Sequence, residues 1–467
     1  MKKLIKIIIA SAPPIGAFSV GGAIGFPNIL LQQLQVNGTS FNLDLDTSSW
    51  IGSIHGLAGI PSILMPTFMQ WKGRKPAFLV CCLCVILGWI LVLFAKTTTT
   101  ILISECFLGL GGNSLITVSF CSLSEMLDPK FRNMFIVVYG STQALGISSA
   151  GILGQYFHWK TVSSVYLISI LLSFINAIFL WPESPAWLAL KNRFSECEKT
   201  FLWLRGDSSD AQKELFELRH INKENVKKGP DFRNCLRKDF YVPAMLMFVL
   251  LNMSYWTGET VVMIYATQII KKTSGNDLTA SNGLIILDVL LFVCHVICIG
   301  LIKRFNNKSL VALCTFGTIL SMIFCSVVTY LQSVGSLDKS PLCLYGLIAF
   351  ITLCNLGLSP IVFAVAMEIM PVKHRGIGGA LYIFFISCLH TSSLKAAPYL
   401  FIEIDFWGTF LLYAINATIC LAIVCIYLPE TKNRTLQELE DYFNYGKFIK
   451  RADNCDVQVP IILSAHS

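Results

Sequence analysis

The stretch EMLDPKFR, residues 125–132, comes back as EIMPVKHR at residues 368–375. In both copies a Glu is followed seven positions later by an Arg, and both members recur at an offset of 243. Two more pairs stand in nearly the same register. Pro182-Glu183-Ser184 returns as Pro429-Glu430-Thr431 at an offset of 247, and Gly73-Arg74-Lys75 has a decayed copy, Asn306-Asn307-Lys308, at an offset of 233. Any one pair reads blandly, since charged residues at helix ends commonly just cap the helix or snorkel to the surface. Three pairs together, each at the end of an apolar run, imply a chain built as two equivalent halves.

The apolar runs between these motifs set the environment. Of 467 residues, 54% are hydrophobic and 14% charged, against roughly 25% charged in a soluble domain. The runs recur at close to the ~20 residues needed to cross a ~30 Å hydrocarbon core. Inside that core no water can take up backbone hydrogen bonds, so the segments must be helices. The pattern predicts an all-α polytopic membrane protein with twelve transmembrane helices in two six-helix pseudo-repeats. The expected spans are 7–34, 49–69, 76–95, 99–124, 134–157, 161–181, 241–264, 282–302, 310–331, 341–367, 377–400 and 406–428. The halves are then 1–181 and 241–428, with a linker at 182–240 and a tail at 429–467. Charges alternate with Leu and Phe at helical spacing in the linker, as expected of short cytoplasmic helices. The first run is too long for the apolar part of a signal peptide, and no small-residue cleavage site follows it.

Lys and Arg decide the orientation. With the N-terminus inside, 30 of the 36 lie on the inner side; the six outside are Lys96, Lys160, Lys271, Lys272, Lys339 and Lys395. Without the twelve in the long linker the balance is still 18 to 6. The net charge of +8 therefore reflects topology and the lipid bilayer, and implies no nucleic acid. Asn37-Gly38-Thr39 is a glycosylation sequon in the first outer loop, which makes Asn37 the candidate acceptor. The 17 cysteines sit mostly inside apolar runs, where Cys behaves as a small hydrophobe. Cys294, His295 and Cys298 have metal-ligand chemistry, but their apolar helical context and the lack of a second matching pair favour packing. No metal or cofactor is expected, and no catalytic constellation is present.

Two parallel halves with motifs at matching inner helix ends is the arrangement of major facilitator transporters. Gly73, Arg74, Lys75, Glu125, Arg132, Glu183, Glu368, Arg375 and Glu430 read as a cytoplasmic gate. Cations and carboxylates of the two halves would meet only while the inner side is closed, biasing the equilibrium without bolting it.

The sequence resembles the sugar porter family. The stretches that carry the resemblance are PESPAWLALKNRFSECEKTFLWLRG (182–206), PETKNRTLQELEDYF (429–443), EIMPVKHRG (368–376) and WKGRK (71–75). The segment SLKAAPYL followed by DFWGTFLLYA looks like the insect facilitated trehalose transporter branch. The resemblance covers roughly residues 15–445. It implies alternating-access movement of a sugar, hexose or trehalose-like disaccharide, across the plasma membrane, with both termini cytoplasmic. The departures concern specificity. Gln70 stands where the family usually has Asp. Glu105 replaces an Arg of span 4, and Ser254 and Tyr255 replace a glutamine pair of span 7. Phe363 replaces a Trp of span 10.

In such a fold the substrate sits near the midplane between the halves, and sugars need hydrogen-bonding side chains plus an aromatic face. The candidates are Gln143 on span 5; Ser254, Tyr255, Thr257, Thr260 and Tyr265 on span 7; and Asn355 and Phe363 on span 10. Polar residues in membranes also simply bond helix to helix. Gly258 and Pro360 would let spans 7 and 10 bend. Uniport is favoured because Ile7 to Leu34 contains no Asp or Glu, the usual place for a coupling carboxylate in symporters of the family. The alternatives are proton-coupled symport, with His55 as the titratable group, and a weakly transporting sugar sensor. Glu259 and Lys395 stand at one depth in spans 7 and 11 and are expected to pair, with Asp288 as a rival partner for Lys395.

Overall fold

The computed structural model describes residues 11–34, 44–126, 129–205, 215, 238–370, 375–432 and 442–443, except for the side chains of 124, 129–137, 205, 238–239 and 375–376. Span 1 is Ala12–Leu34. Span 2 is broken: Leu45–Leu57 passes through a 3-10 turn, Ile60–Leu64, into Met65–Lys72. Pro61 and Pro66 at the starts of the later two pieces remove backbone donors and explain the break. Spans 3 to 6 are Arg74–Leu93, Thr98–Met126, Pro129–Tyr156 and Trp159–Leu180. The linker contributes Pro185–Leu190 and Phe194–Arg205.

Span 7 is two helices, Lys238–Tyr255 and Glu259–Ser274. Spans 8 and 9 are Asp277–Arg304 and Asn307–Ser333. Span 10 runs from Leu342 to Glu368 through a π-helical turn at Cys354–Leu358. Spans 11 and 12 are Arg375–Glu403 and Asp405–Tyr427. Eleven of these segments are long and apolar enough to cross a bilayer. The remaining one, Pro129–Tyr156, is a 28-residue helix packed on spans 1 and 8; at 1.5 Å per residue it too exceeds the ~30 Å core.

The expected single helix at 241–264 is corrected on two points: it is interrupted at 256–258, and it continues to Ser274. Span 2 likewise begins at Leu45, where Asp44 accepts a hydrogen bond from Thr47 N at 3.0 Å. That cap is a local polar signal that hydropathy does not register.

Within the first half, spans 1 and 5 lie back to back. A Cβ on Gly21 would overlap the Gln143 carbonyl, and one on Gly146 would overlap the Phe18 carbonyl. Small residues permit such contact where no hydrophobic effect drives helices together. Trp89 of span 3 donates to Ser19 Oγ at 2.8 Å and stacks on Tyr166 at 5.2 Å. Large apolar side chains such as Phe179, Leu313 and Ile426 are exposed, as lipid contact requires. The linker helices carry a small core of their own, with Trp187, Leu188, Cys197 and Phe201 buried together. Trp187 Nε1 donates to the Gln70 carbonyl at 3.0 Å and ties the linker to the inner end of span 2.

The halves meet through spans 2 and 11, spans 5 and 8, and span 1 with the outer piece of span 7. The face carrying the Lys- and Arg-rich loops is called inner here. The hydrogen bonds joining the halves among the described residues all lie in the outer half. Asn28 donates to the Met263 carbonyl at 3.0 Å, Gln32 to Thr267 Oγ1 at 2.5 Å, and Ser281 to Gln155 Oε1 at 2.7 Å. On the inner side, Met65–Lys72 and Ser359–Glu368 pack against elements of their own halves. Among the described residues, the halves are thus joined on the outer side.

Candidate functional site

Span 7 breaks at Gly258, whose φ of +89° and ψ of 12° are left-handed. A Cβ there would also overlap the Tyr413 ring, so backbone and packing both demand glycine. The break turns the outer helix so that its first residue, Glu259, faces span 10. There the π turn aims Asn355 and Ser359 at it. Asn355 Nδ2 donates to Glu259 Oε1 at 2.9 Å, and Ser359 Oγ donates to Oε2. Ser254 and Ser359 hydroxyls are 3.4 Å apart. Next to them Tyr255 packs edge-on to Phe363, with centroids at 5.7 Å, and at 5.5 Å from His390 of span 11.

Ser254, Tyr255, Asn355 and Phe363 are therefore neighbours, joined by Glu259, Ser359 and His390, which were not among the sequence candidates. Pro360, adjacent to Ser359, was the available signal, since a proline in a span marks freed backbone and nearby polar side chains. The other candidates go elsewhere. Thr257 is buried, donates to the Ser254 carbonyl at 2.8 Å, and packs among Thr318, Phe350 and Tyr413 of the second half. Thr260 is half-buried at the start of the outer helix. Tyr265 is buried at the outer contact, edge-on to Phe401 and facing Gly52 of span 2. Gln143 is half-buried on span 5, its carbonyl against Gly21.

The expected Glu259–Lys395 pair is corrected. Lys395 points to the other half, 2.5 Å from Asp46 Oδ1 and 2.7 Å from Ser49 Oγ, with Trp50 4.1 Å beneath its ammonium. Asp288 is not its partner either; that carboxyl lies buried against Gly151 of span 5. Equal depth brought Glu259 and Lys395 together on paper, but the turn at Gly258 resets the direction of every side chain beyond it. Tyr399 also donates to Asp46 Oδ1, at 3.0 Å, so this cluster is a latch on the closed outer side. Lys395→Met and Asp46→Asn are each expected to raise outward accessibility several-fold. Labelling of an engineered outer cysteine by an impermeant thiol reagent would measure it. The double variant should change it by less than the two effects combined, and strict additivity would mean that the two residues do not interact.

At the inner ends the motif residues assemble within each half. Arg74 forms a two-pronged pair with Glu125, Nε–Oε2 at 2.8 Å and Nη2–Oε1 at 2.6 Å. Glu183 accepts from the backbone N–H groups of Arg74 and Lys75 at 2.7 and 3.2 Å. It thereby caps span 3, a favourable place for a carboxylate. Gly73, with φ +108°, leaves the room that this approach needs. Burial pushes the Glu183 carboxyl up, while donors from Ser184, Arg74 and Lys75 oppose the shift.

The second half repeats the device. Glu430 accepts from Asn307 N at 3.1 Å and Lys308 N at 3.2 Å at the start of span 9. The decayed triplet keeps the capping because a cap is made to backbone N–H groups, which survive the loss of Gly and Arg. Glu368 is exposed at the end of span 10. The side chains of Arg132 and Arg375, and Asn37 with its sequon, lie outside the described residues.

Relatives agree with this architecture. The fold matches the major facilitator proton:xylose symporter XylE bound to 6-bromo-6-deoxy-D-glucose, with a TM-score of 0.76 at 16% identity over 95% of this chain and 100% of that one. It also matches inward-open XylE from E. coli, with a TM-score of 0.74 at 14% identity over 94% and 99%. In sequence, the chain is 27% identical over 462 residues to the facilitated trehalose transporter Tret1 of Apis mellifera ligustica, covering 95% of this chain and 89% of that protein. It is 26% identical over 415 residues to the sugar transporter ERD6-like 6 of Arabidopsis thaliana, covering 86% and 83%. Matching the family model described as Sugar (and other) transporter over residues 17–443, the chain belongs to that family of multi-pass membrane transporters.

Proposed function

We propose that the chain carries a sugar, a hexose or a trehalose-like disaccharide, by facilitated diffusion across the plasma membrane, with both termini in the cytoplasm. The observation that carries the reading is the polar and aromatic cluster at the paired breaks of spans 7 and 10. Ser254, Asn355, Ser359 and Glu259 supply donors and acceptors for sugar hydroxyls, and Tyr255 and Phe363 supply apolar ring faces. The break at Gly258 provides a joint about which the outer piece of span 7 closes over the substrate. The trehalose transporter relatives support the substrate class. Uniport is supported by span 1, which has no ionisable side chain from Ala12 to Leu34.

The test is uptake of labelled glucose and trehalose by cells expressing the chain, with and without a proton ionophore. Uptake that equilibrates and ignores the ionophore is expected. Concentrative uptake that collapses on its addition would exclude uniport, and failure to move any sugar would exclude the transport reading.

A further inference from the structure

Spans 2, 4 and 11 bring together three ionisable side chains outside the sugar cluster's hydrogen bonds. Glu105 of span 4 is wholly buried, and neither of its oxygens has a hydrogen-bond donor. His55 of span 2 is buried beside it, with Nδ1 3.5 Å from Glu105 Oε2. His390 belongs to the other half and covers the pair at the contact of spans 2 and 11. A Cβ on Gly56 would stand 2.8 Å from His390 Nδ1 and 2.7 Å from Thr391 Oγ1. The other ionisable groups facing this site are Cys106 on span 4 and Tyr255 on span 7, which touches the His390 ring. Span 1, packed on span 2, offers none. Asp46 and Lys395 lie farther out on spans 2 and 11 and neutralise each other.

A carboxylate ion without a donor in such a site is too costly to persist. The pair therefore holds one proton, either on Glu105 or as a His55 imidazolium facing a carboxylate. In water neither group needs the shared proton, and it can leave. The contact of spans 2 and 11 lies beside the pair, at Gly56 and His390, so parting the halves on the outer side would give external water a path to it. Glu105 is sealed from water on both sides.

We infer that the His55–Glu105 pair, covered by His390, is a proton site loaded from outside, and that its proton holds the transporter closed outward, making external pH a regulator of the alternating-access cycle. The inference rests on the transport reading above. The proton is bound and released on one side, so regulation needs no coupling of proton flow to sugar flow.

The direction follows from proton counting. The outward-closed form carries one proton more than the open form, so each unit of external alkalinisation favours opening by up to about tenfold.

The experiment uses the full chain in proteoliposomes with the internal pH clamped and the external pH varied from about 6.5 to about 8.5. The external half-saturation for labelled sugar influx should fall as pH rises, because the outward-open fraction limits apparent affinity. Glu105→Gln and, as a second variant in case the first does not fold, His55→Gln should still exchange sugar but with a flat profile. A flat profile in the parent, or an unchanged slope in both variants, overturns the proton site and leaves uniport standing. Sugar accumulation driven by an inward proton gradient overturns both the one-sided site and uniport.

Discussion

Gly258→Ala is expected to lower sugar transport about tenfold or more while the protein still folds and reaches the membrane. Holding a non-glycine residue in the left-handed region costs about 1–2 kcal/mol, and about 1.4 kcal/mol is a factor of ten. The new methyl would also press on the Tyr413 ring, so span 7 must shift or straighten. Either response moves Glu259 away from Asn355 and Ser359 and disturbs the cluster built around them. The two contributions can be separated. Tyr413→Ala added to Gly258→Ala should relieve the steric part and restore transport only partially, since the backbone cost remains. Initial rates of labelled sugar uptake, normalised to surface expression, measure both. Parent rates in Gly258→Ala would mean that the break is not a working joint.

Arg74→Ala should be the most destabilising single change among the motif residues at the inner helix ends, at about 2 kcal/mol. Removing one partner of a buried ion pair leaves the other charge uncompensated, which typically costs about 3–5 kcal/mol. The Glu125 side chain is 23% exposed, so water recovers part of that. Arg74 also donates to the Met69 carbonyl at 3.3 Å, joining the inner ends of spans 2 and 3. Arg74→Met combined with Glu125→Leu should recover most of the loss, because no orphan charge is left. The thermal midpoint of the detergent-solubilised protein reads this out. A midpoint in Arg74→Ala equal to the parent's would show that the pair contributes nothing. Neither variant should alter the response to external pH, which resides at the other end of the molecule.

Much of the fold was legible because the relevant signals are linear. The length of an apolar run against bilayer thickness places a span, Lys and Arg between runs orient it, and motifs at a repeated offset reveal two halves. The same reading placed Ser254, Tyr255, Asn355 and Phe363 among the sugar candidates, and the structure brings these four together. Thr257, which turns into the second half's own packing, and Tyr265, which sits at the outer contact, lie apart from them. The separation follows from the break in span 7, which a straight helix would not have. Each residue advances the side-chain direction by about 100°, since there are 3.6 residues per turn, so the three residues of the break at 256–258 are enough to lose the phase. The motif residues read as a lock between the halves, and the structure shows the described ones joined within each half. Glu183 and Glu430 meet backbone N–H groups, which leave no mark in a sequence.

By itself, then, the sequence determined the twelve spans, their two-fold repetition and the side on which the positive loops lie. Hydrophobic length and charge count are additive along a chain and need no knowledge of neighbours. Only the tertiary structure decided that Glu259 bonds across to span 10, that Lys395 latches onto Asp46 of the opposite half, and that Glu105 faces His55 in a sealed site. Those pairings depend on the angle at which each helix presents a side chain and on where Gly258 breaks that angle, and in a low-dielectric interior a few ångströms decide whether a charge is paired, shared or left holding a proton.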